Sequence, residues 1–168
     1  MNYGYFDDDA KEYVITTPFT PLPWINYLGS ESFFGLISNT AGGYCFYRDA
    51  KLMRLTRYRY NNVPADTGSR FYYIKETGKR TWSPSYRPCD TALDDYSCRH
   101  GLGYSVLRGE RGGLAAEVTC FVPMGENCEV HKLTRRNLTR DGKTLRLTGA
   151  VEWCLWNALD DMTNFQRN

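Results

Sequence analysis

Residues 143–156 read KTLRLTGAVEWCLW, and this stretch decides the fold class. Apolar side chains recur at every second position and alternate with Arg146, Thr148 and Glu152, which is the period of a β-strand. Gly149 interrupts the alternation and predicts a β-bulge. One face of the predicted strand then carries Leu145, Leu147, Val151, Trp153 and Leu155.

The residues just upstream predict two more strands. GGLAAEVTCFV (112–122) alternates in the same way, and NCEVHKLTRRN (127–137) predicts a further strand after a turn at 123–125. Asp141-Gly142 is a strong hairpin dipeptide between the second of these runs and 143–156. We therefore expect three consecutive antiparallel strands. The apolar side of the first strand is Leu114, Ala116, Val118 and Cys120.

The amino-terminal half is also rich in strand signals. RFYYIKETGKRTWSP (70–84) predicts a hairpin closed by residues 76–79, and LMRLTRYRY (52–60) alternates as well. ESFFGLIS (31–38) is compatible with a short helix or a buried strand, and no run of helical period exceeds ten residues. The expected fold is mainly β, an antiparallel β-sandwich, with residues 1–168 in one domain.

Composition limits the classes of function. The aromatic fraction of 15% favours strands, and the 21 basic and 19 acidic residues give a net charge of only +2. A balance of this kind argues against a nucleic acid or an anionic membrane as a partner. The first residues contain Asp7, Asp8 and Asp9 and no apolar signal segment, so we expect a cytoplasmic protein.

Few residues are available for metal or redox chemistry. The six cysteines show no Cys-x-x-Cys spacing, and His100 and His131 are the only histidines. These counts argue against a metal centre, and we expect buried or inert thiols and a structural role for His131.

Two polar patterns allow both a functional and a structural interpretation. The arginines and tyrosines that alternate in 52–60 suit a stacking surface, but cross-strand tyrosine packing beside a solvated arginine face is favoured. The carboxylate pairs Asp94-Asp95 and Asp160-Asp161 are neighbours in sequence, which suits turns or a solvated terminus better than a glycosidase pair.

The polar group at 164–168 has the chemistry of a sugar site. It contains Asn164, Gln166, Arg167 and Asn168, and the nearby Trp and Phe side chains offer apolar faces. Amides and a guanidinium hydrogen-bond hydroxyls while aromatic faces pack against a sugar ring. A surface loop uses the same residues, so both interpretations stay open on composition alone.

Four stretches resemble the amino-terminal part of the cellobiose phosphorylase family, the inverting disaccharide phosphorylases of glycoside hydrolase family 94. They are YGYFDDDAKEYVITTPFTPLPWINYLG (3–29), GGYCFYRDAKLMRLTRYRYNNVPAD (42–66), RHGLGYS (99–105) and VEWCLWNALDDMTNFQRN (151–168). The resemblance implies a galactose mutarotase-like supersandwich domain, incomplete within residues 1–168, and a catalytic α/α barrel that this chain lacks.

The resemblance also implies a reaction and a site. The family cleaves a β-linked glucose disaccharide with inorganic phosphate, without a cofactor, and its general acid is an aspartate of the barrel. Arg167 matches an arginine that contacts sugar in the leaving-glucose subsite, and Gln166 lies beside it. We therefore expect no catalytic residue here, no activity of the chain alone, and a homodimer when complete. The alternative is a stand-alone carbohydrate-binding β-sandwich or an inactive fragment.

Overall fold

The computed structural model describes residues 2–59, 66 and 68–163, which form thirteen strands and one short helix. The elements are β1 Gly4–Asp7, β2 Glu12–Ile15, β3 Ile25–Ser30, β4 Phe33–Ser38, β5 Gly43–Tyr47, β6 Arg54–Thr56, β7 Arg70–Glu76, β8 Asp95–Gly101, β9 Tyr104–Arg111, β10 Leu114–Phe121, β11 Val130–Asn137, β12 Leu145–Val151, β13 Trp153–Trp156 and α1 Ala158–Thr163.

A six-stranded sheet forms one layer. Its strand order is β1-β2-β8-β9-β10-β11, and every neighbouring pair is antiparallel. Burial alternates strictly along β10, so the predicted apolar side of that strand faces the interior. The predicted turn before β11 is confirmed by the Glu126 N–H, which donates to the Pro123 carbonyl at 3.2 Å.

The opposing layer contains a five-stranded sheet and a two-stranded sheet. The five-stranded order is β13-β6-β5-β4-β3, and β12 pairs with β7. The ESFFGLIS segment is a buried strand, β4. The predicted hairpin over 70–84 is confirmed, since Ile74 and Trp82 exchange backbone hydrogen bonds across a turn closed by the Lys79 N–H and the Glu76 carbonyl.

The core lies between the two layers. Ile15, Cys98, Leu107 and Val118 of the six-stranded sheet are fully buried and belong to one cluster with apolar residues of the facing layer. The facing residues are Leu28, Phe33, Ile37, Cys45 and Tyr72. Two antiparallel layers around one core make a β-sandwich, which confirms the predicted fold class.

The stretch 143–156 is two strands rather than the single strand that its alternation predicts. β12 pairs with β7 and β13 pairs with β6, so the chain changes partner at Glu152. The Glu152 N–H donates to the Ser69 carbonyl at 3.0 Å, and its carbonyl accepts from the Arg57 N–H at 2.9 Å. The register of β12 is unbroken at Gly149, so the predicted bulge is wrong; the irregularity lies between Trp153 and Trp156.

The predicted hairpin at Asp141-Gly142 is also wrong. β12 does not pair with β11 but crosses to the other layer, where Leu147 lies opposite Ile74 and Gly149 opposite Tyr72. Within the turn, the Asn137 side chain donates to the Asp141 carbonyl at 2.8 Å. A turn dipeptide reverses the chain locally, whereas the partner of the next strand depends on which edge can cover its side chains.

The prediction of buried or inert thiols is confirmed by burial for three of the six cysteines. All six cysteines are free, and Cys45, Cys98 and Cys120 are buried, while Cys128 is exposed. Burial raises the pKa of the Cys98 thiol well above its ordinary value, which keeps that group protonated and unreactive. Among the helices of the described residues, none is long and apolar enough to cross a bilayer.

Candidate functional site

Gln166 and Arg167, the two predicted sugar-binding residues, lie outside the described residues. The described chain reaches Thr163 at the end of α1, three residues before Gln166. The described elements nearest to them in the chain are β13 and α1.

The start of α1 is capped and attached to a loop of the sandwich. The Asn157 side-chain oxygen accepts the backbone N–H groups of Leu159 at 3.0 Å and Asp160 at 3.3 Å. This is the interaction that satisfies the free donors of a helix amino terminus. The Ala158 N–H donates to the Lys51 carbonyl at 2.7 Å, which ties the same end to the loop before β6.

Asp161 attaches the other end of α1 to the arginines that follow β6. Arg57 donates from Nε to both carboxylate oxygens, at 2.9 and 3.1 Å, and its Nη2 lies 2.8 Å from Oδ1. Arg59 Nη2 donates to the Asp161 backbone carbonyl at 3.4 Å. The Asp161 side chain is only 10% exposed, so the prediction of a solvated carboxylate pair is wrong for this residue.

The arginine and tyrosine stretch is divided between two environments. Arg54 is buried, and its guanidinium lies 3.5 Å from the centre of the Tyr44 ring, while the Tyr44 and Tyr58 rings are 6.1 Å apart. The favoured interpretation as tyrosine packing is confirmed for this side, although Tyr60 lies outside the described residues. The other side is not a solvated face, because Arg57 and Arg59 are half-buried against Asp161.

A second polar cluster lies inside the sandwich and has no clear signal in the sequence. Arg70 of β7 donates to Glu129 from Nε at 3.0 Å and from Nη2 at 2.7 Å, and its Nη1 donates to the Leu36 carbonyl at 3.3 Å. His131 Nε2 lies 3.4 Å from the other Glu129 oxygen, and its Nδ1 hydrogen-bonds the Tyr72 hydroxyl. His131 thus has a structural role, as predicted, but in a charged network.

The network sets the charges of its members. Burial by itself would raise the pKa of Glu129, but the Arg70 and His131 cations lower it to about 2. Burial opposes charge on His131, yet its hydrogen bonds to Cys120 and Glu129 raise its pKa to about 9. Glu129 is therefore ionised at neutral pH and cannot act as a general acid there.

A cleft of about 440 Å³ opens next to this cluster. Apart from the polar groups at one end, its walls are aromatic and aliphatic, and β12 and β13 form one side of it. Such a lining suits apolar side chains better than a sugar, whose hydroxyls need hydrogen-bonding partners. The apolar lining residues include Phe33, Leu55, Phe71, Val151 and Trp153.

The described part of the chain offers no set of metal ligands, since no three His, Cys, Asp or Glu side chains within it come together. Another buried carboxyl, Asp66, accepts from the Thr40 hydroxyl at 2.5 Å, the Tyr58 hydroxyl at 3.1 Å and the Ser38 hydroxyl. These bonds fix the loop between β4 and β5, so Asp66 has a structural role.

Comparison with known proteins assigns the chain to a family. The model of the family described as "Glycosyl hydrolase 94, supersandwich domain" matches residues 11–168. The chain is 42% identical over 170 residues to an N,N'-diacetylchitobiose phosphorylase of Vibrio furnissii, covering 99% of this chain and 21% of that relative.

Two relatives from Paenibacillus borealis carry other names. The chain is 36% identical over 147 residues to a 3-O-beta-D-glucopyranosyl-beta-D-glucuronide phosphorylase, covering 86% of this chain and 18% of that relative. It is 31% identical over 156 residues to a solabiose phosphorylase, covering 91% of this chain and 20% of that relative. The chain thus spans about a fifth of the length of these relatives. It belongs to the glycosyl hydrolase 94 family, and residues 11–168 are part of that family's supersandwich domain.

Proposed function

We propose that this chain is the amino-terminal part of an inverting disaccharide phosphorylase, and that Arg167 and Gln166 bind the leaving sugar. The observation that carries the proposal is the match, over nearly all of the chain, to phosphorylases that act on different disaccharides. The names of those relatives share phosphorolysis but differ in the sugar. The proposal therefore rests on the shared reaction and not on a particular disaccharide.

The chain contributes binding rather than acid catalysis to this reaction. In an inverting phosphorolysis, one carboxylic acid protonates the leaving oxygen while phosphate attacks the anomeric carbon from the opposite face. Two of the carboxyls described above are committed to structural bonds, Glu129 to Arg70 and Asp161 to Arg57. We therefore assign the acid to polypeptide beyond this chain, and the binding of sugar hydroxyls to the Arg167 guanidinium and the Gln166 amide.

An exposed apolar face supports a role within a larger protein. Val151 and Trp153 are 43% and 56% exposed, and Leu147, Leu155 and Trp156 lie along the same two strands with similar exposure. Large apolar side chains that are exposed along two consecutive strands are normally covered by further polypeptide. The observation favours a truncated supersandwich domain over a stand-alone carbohydrate-binding domain, which needs a covered core and a polar surface.

The proposed substrates are inorganic phosphate and a β-linked disaccharide. The sequence resemblance favours cellobiose, while two of the relatives act by name on N,N'-diacetylchitobiose. We include both disaccharides as candidates, and we propose a cytoplasmic homodimer as the complete enzyme.

The proposal is tested first with the chain alone. We expect no release of sugar 1-phosphate from either disaccharide with phosphate, because the general acid is missing. Reproducible turnover by the purified chain would contradict the assignment of the acid to another part of the polypeptide.

The second test is a hybrid in which this chain replaces the matching residues of the Vibrio furnissii relative. We expect the hybrid to form sugar 1-phosphate, and Arg167→Ala to lower its kcat/KM for the disaccharide by about tenfold or more, as loss of a charged hydrogen bond does. Gln166→Ala should have a smaller effect. A hybrid that folds but shows no dependence on Arg167 would exclude the proposed binding role.

A further inference from the structure

We infer that Arg57 and Asp161 form a positioning pair, which sets the direction in which the chain leaves the sandwich towards Gln166 and Arg167. The inference rests on the proposed function, since it concerns how the proposed sugar-binding residues are held. The role proposed for these two residues is positioning, not contact with sugar or phosphate.

Apolar packing does not hold α1 in place. The helix has six residues and none of them is buried. A helix this short is not stable by itself in water, because nucleation costs more than a single turn of hydrogen bonds returns. Its orientation on the sandwich must therefore come from specific polar contacts.

The polar contacts of α1 form two separate attachments to the sandwich. At the amino-terminal end, Asn157 caps the helix and the Ala158 N–H binds the Lys51 carbonyl. One turn later, the Asp161 carboxylate takes the three short contacts from Arg57 and lies near Arg59, whose Nε is 4.0 Å from Oδ2. One attachment alone leaves α1 free to rotate about it, whereas two attachments fix its axis.

Arg57 is itself held in place by backbone hydrogen bonds. Its backbone N–H donates to the Glu152 carbonyl at 2.9 Å, and the Glu152 N–H donates to the Ser69 carbonyl at 3.0 Å. Arg57 is thus tied to the residue at which the chain passes from β12 to β13. A planar guanidinium that contacts both carboxylate oxygens also fixes the angle of its partner, which a lysine does not do.

The consequence for the enzyme is geometric. Asp161 lies five residues before Gln166 and six before Arg167. Displacing a binding group by about 1 Å is enough to weaken a reaction that depends on orientation by up to ~100-fold. Breaking the pair should therefore weaken disaccharide binding without changing the chemical step.

The structural test uses amide hydrogen exchange on the full chain. We expect Arg57→Gln and Asp161→Asn each to speed exchange in residues 158–163 at least about tenfold, while β10 keeps its protection. The double variant should match the single variants, because one interaction is lost in all three. Unchanged exchange in α1 would overturn the inference, as would fully additive effects.

The functional test uses the hybrid enzyme described above. We expect Asp161→Asn and Arg57→Gln to raise the KM for the disaccharide about fivefold or more, with kcat within about twofold of the parent and an unchanged KM for phosphate. The KM of Arg57→Lys should lie between those of the parent and of Arg57→Gln, because lysine keeps the charge but loses the planar contact. A merely structural role would lower the amount of folded enzyme and leave KM unchanged.

Asp95→Asn is the matched control, because Asp95 forms an ion pair with Arg108 on the far sheet and does not contact α1. It should change neither α1 exchange nor KM. The failures are distinguishable: if Arg167→Ala leaves kcat/KM unchanged, the proposed function fails, and if Arg167→Ala lowers kcat/KM but Asp161→Asn does not raise KM, only the positioning pair fails.

Discussion

Arg70 is a charged side chain in the interior of a sandwich, only 2% exposed, and its neighbours are charged as well. Isolated charges are not tolerated in such a place, so Arg70 is paired with Glu129, and Glu129 with His131. The inward position of Arg70 follows from the alternation of β7, but its partner lies 59 residues away in the chain. The sequence therefore indicates where Arg70 points and not what neutralises it.

The charged cluster makes stability depend on pH in a defined direction. The pKa of Glu129 falls from an ordinary 4.5 to about 2, so its contribution is present above 4.5 and is lost as the pH falls towards 2. The pKa of His131 rises from 6.5 to about 9, so its contribution is present below 6.5 and is lost as the pH rises through 9. We expect maximal stability between these limits, and a decline on the order of 3 kcal/mol from pH 6.5 to 9.

Urea unfolding followed by tryptophan fluorescence at several pH values measures this decline. His131→Gln should remove most of it. His100→Gln is the control, because burial lowers the pKa of His100, which therefore contributes nothing to a loss of stability on the alkaline side. An equal alkaline decline in His131→Gln and the parent would contradict the assignment.

At the scale of elements, alternation predicted where strands lie better than it predicted how they pair. β10 and the hairpin of β7 with Trp82 follow the sequence, because their patterns and turns are local. β12 has an equally clear alternation, but it pairs with β7 and not with its sequence neighbour β11. α1 has too few residues for periodicity to reveal it, although Asn157 before Ala158 is a capping signal.

Gly149 and Gly43 give opposite predictions for substitution by alanine. Gly149 lies in a regular strand with nothing within 4 Å of an added Cβ, so Gly149→Ala should leave stability unchanged or raise it by up to about 1 kcal/mol. Gly43 has a φ of +115°, and an added Cβ would lie 2.1 Å from the Leu36 carbonyl oxygen. Gly43→Ala should therefore destabilise by more than about 1 kcal/mol.

Thermal unfolding of the two variants beside the parent checks this pair. A loss of stability in Gly149→Ala comparable to that in Gly43→Ala would mean that β12 is not the regular strand described here.

At the scale of the whole molecule, the described part of the sandwich combines a well-covered core with an uncovered apolar face. The covered core lies between the six-stranded sheet and the facing layer. The uncovered face runs along β12 and β13 and continues into the cleft beside Glu129. Exposed apolar surface is typical of a site of association, and we propose that the remainder of the domain covers this face.

We expect the chain alone to bind a hydrophobic dye and to self-associate with rising concentration. The double substitution Val151→Lys and Trp153→Lys should reduce dye binding by roughly half or more, because it charges the centre of the uncovered face. Leu102→Lys is the control, since Leu102 is 86% exposed but lies alone in the turn between β8 and β9. Dye fluorescence and sedimentation velocity measure both effects.

In the hybrid enzyme, the same double substitution should be unfavourable. There we expect lower thermal stability, because the lysines would be buried under the added polypeptide. Equal stability of the parent and the substituted hybrid would show that the face stays exposed in the complete protein.

The sequence by itself determined the class of this protein: alternation gave antiparallel strands, composition argued against large charged partners, and ordered motifs along the whole chain indicated the family. These properties are local or additive along the chain, so they need no coordinates. Only the tertiary structure decided that 143–156 divides between two partners, that Arg70 is neutralised by Glu129, and that Asp161 anchors the helix before Arg167. Each depends on residues far apart in sequence, whose contact is set by which sheet edge and which buried charge remain to be satisfied.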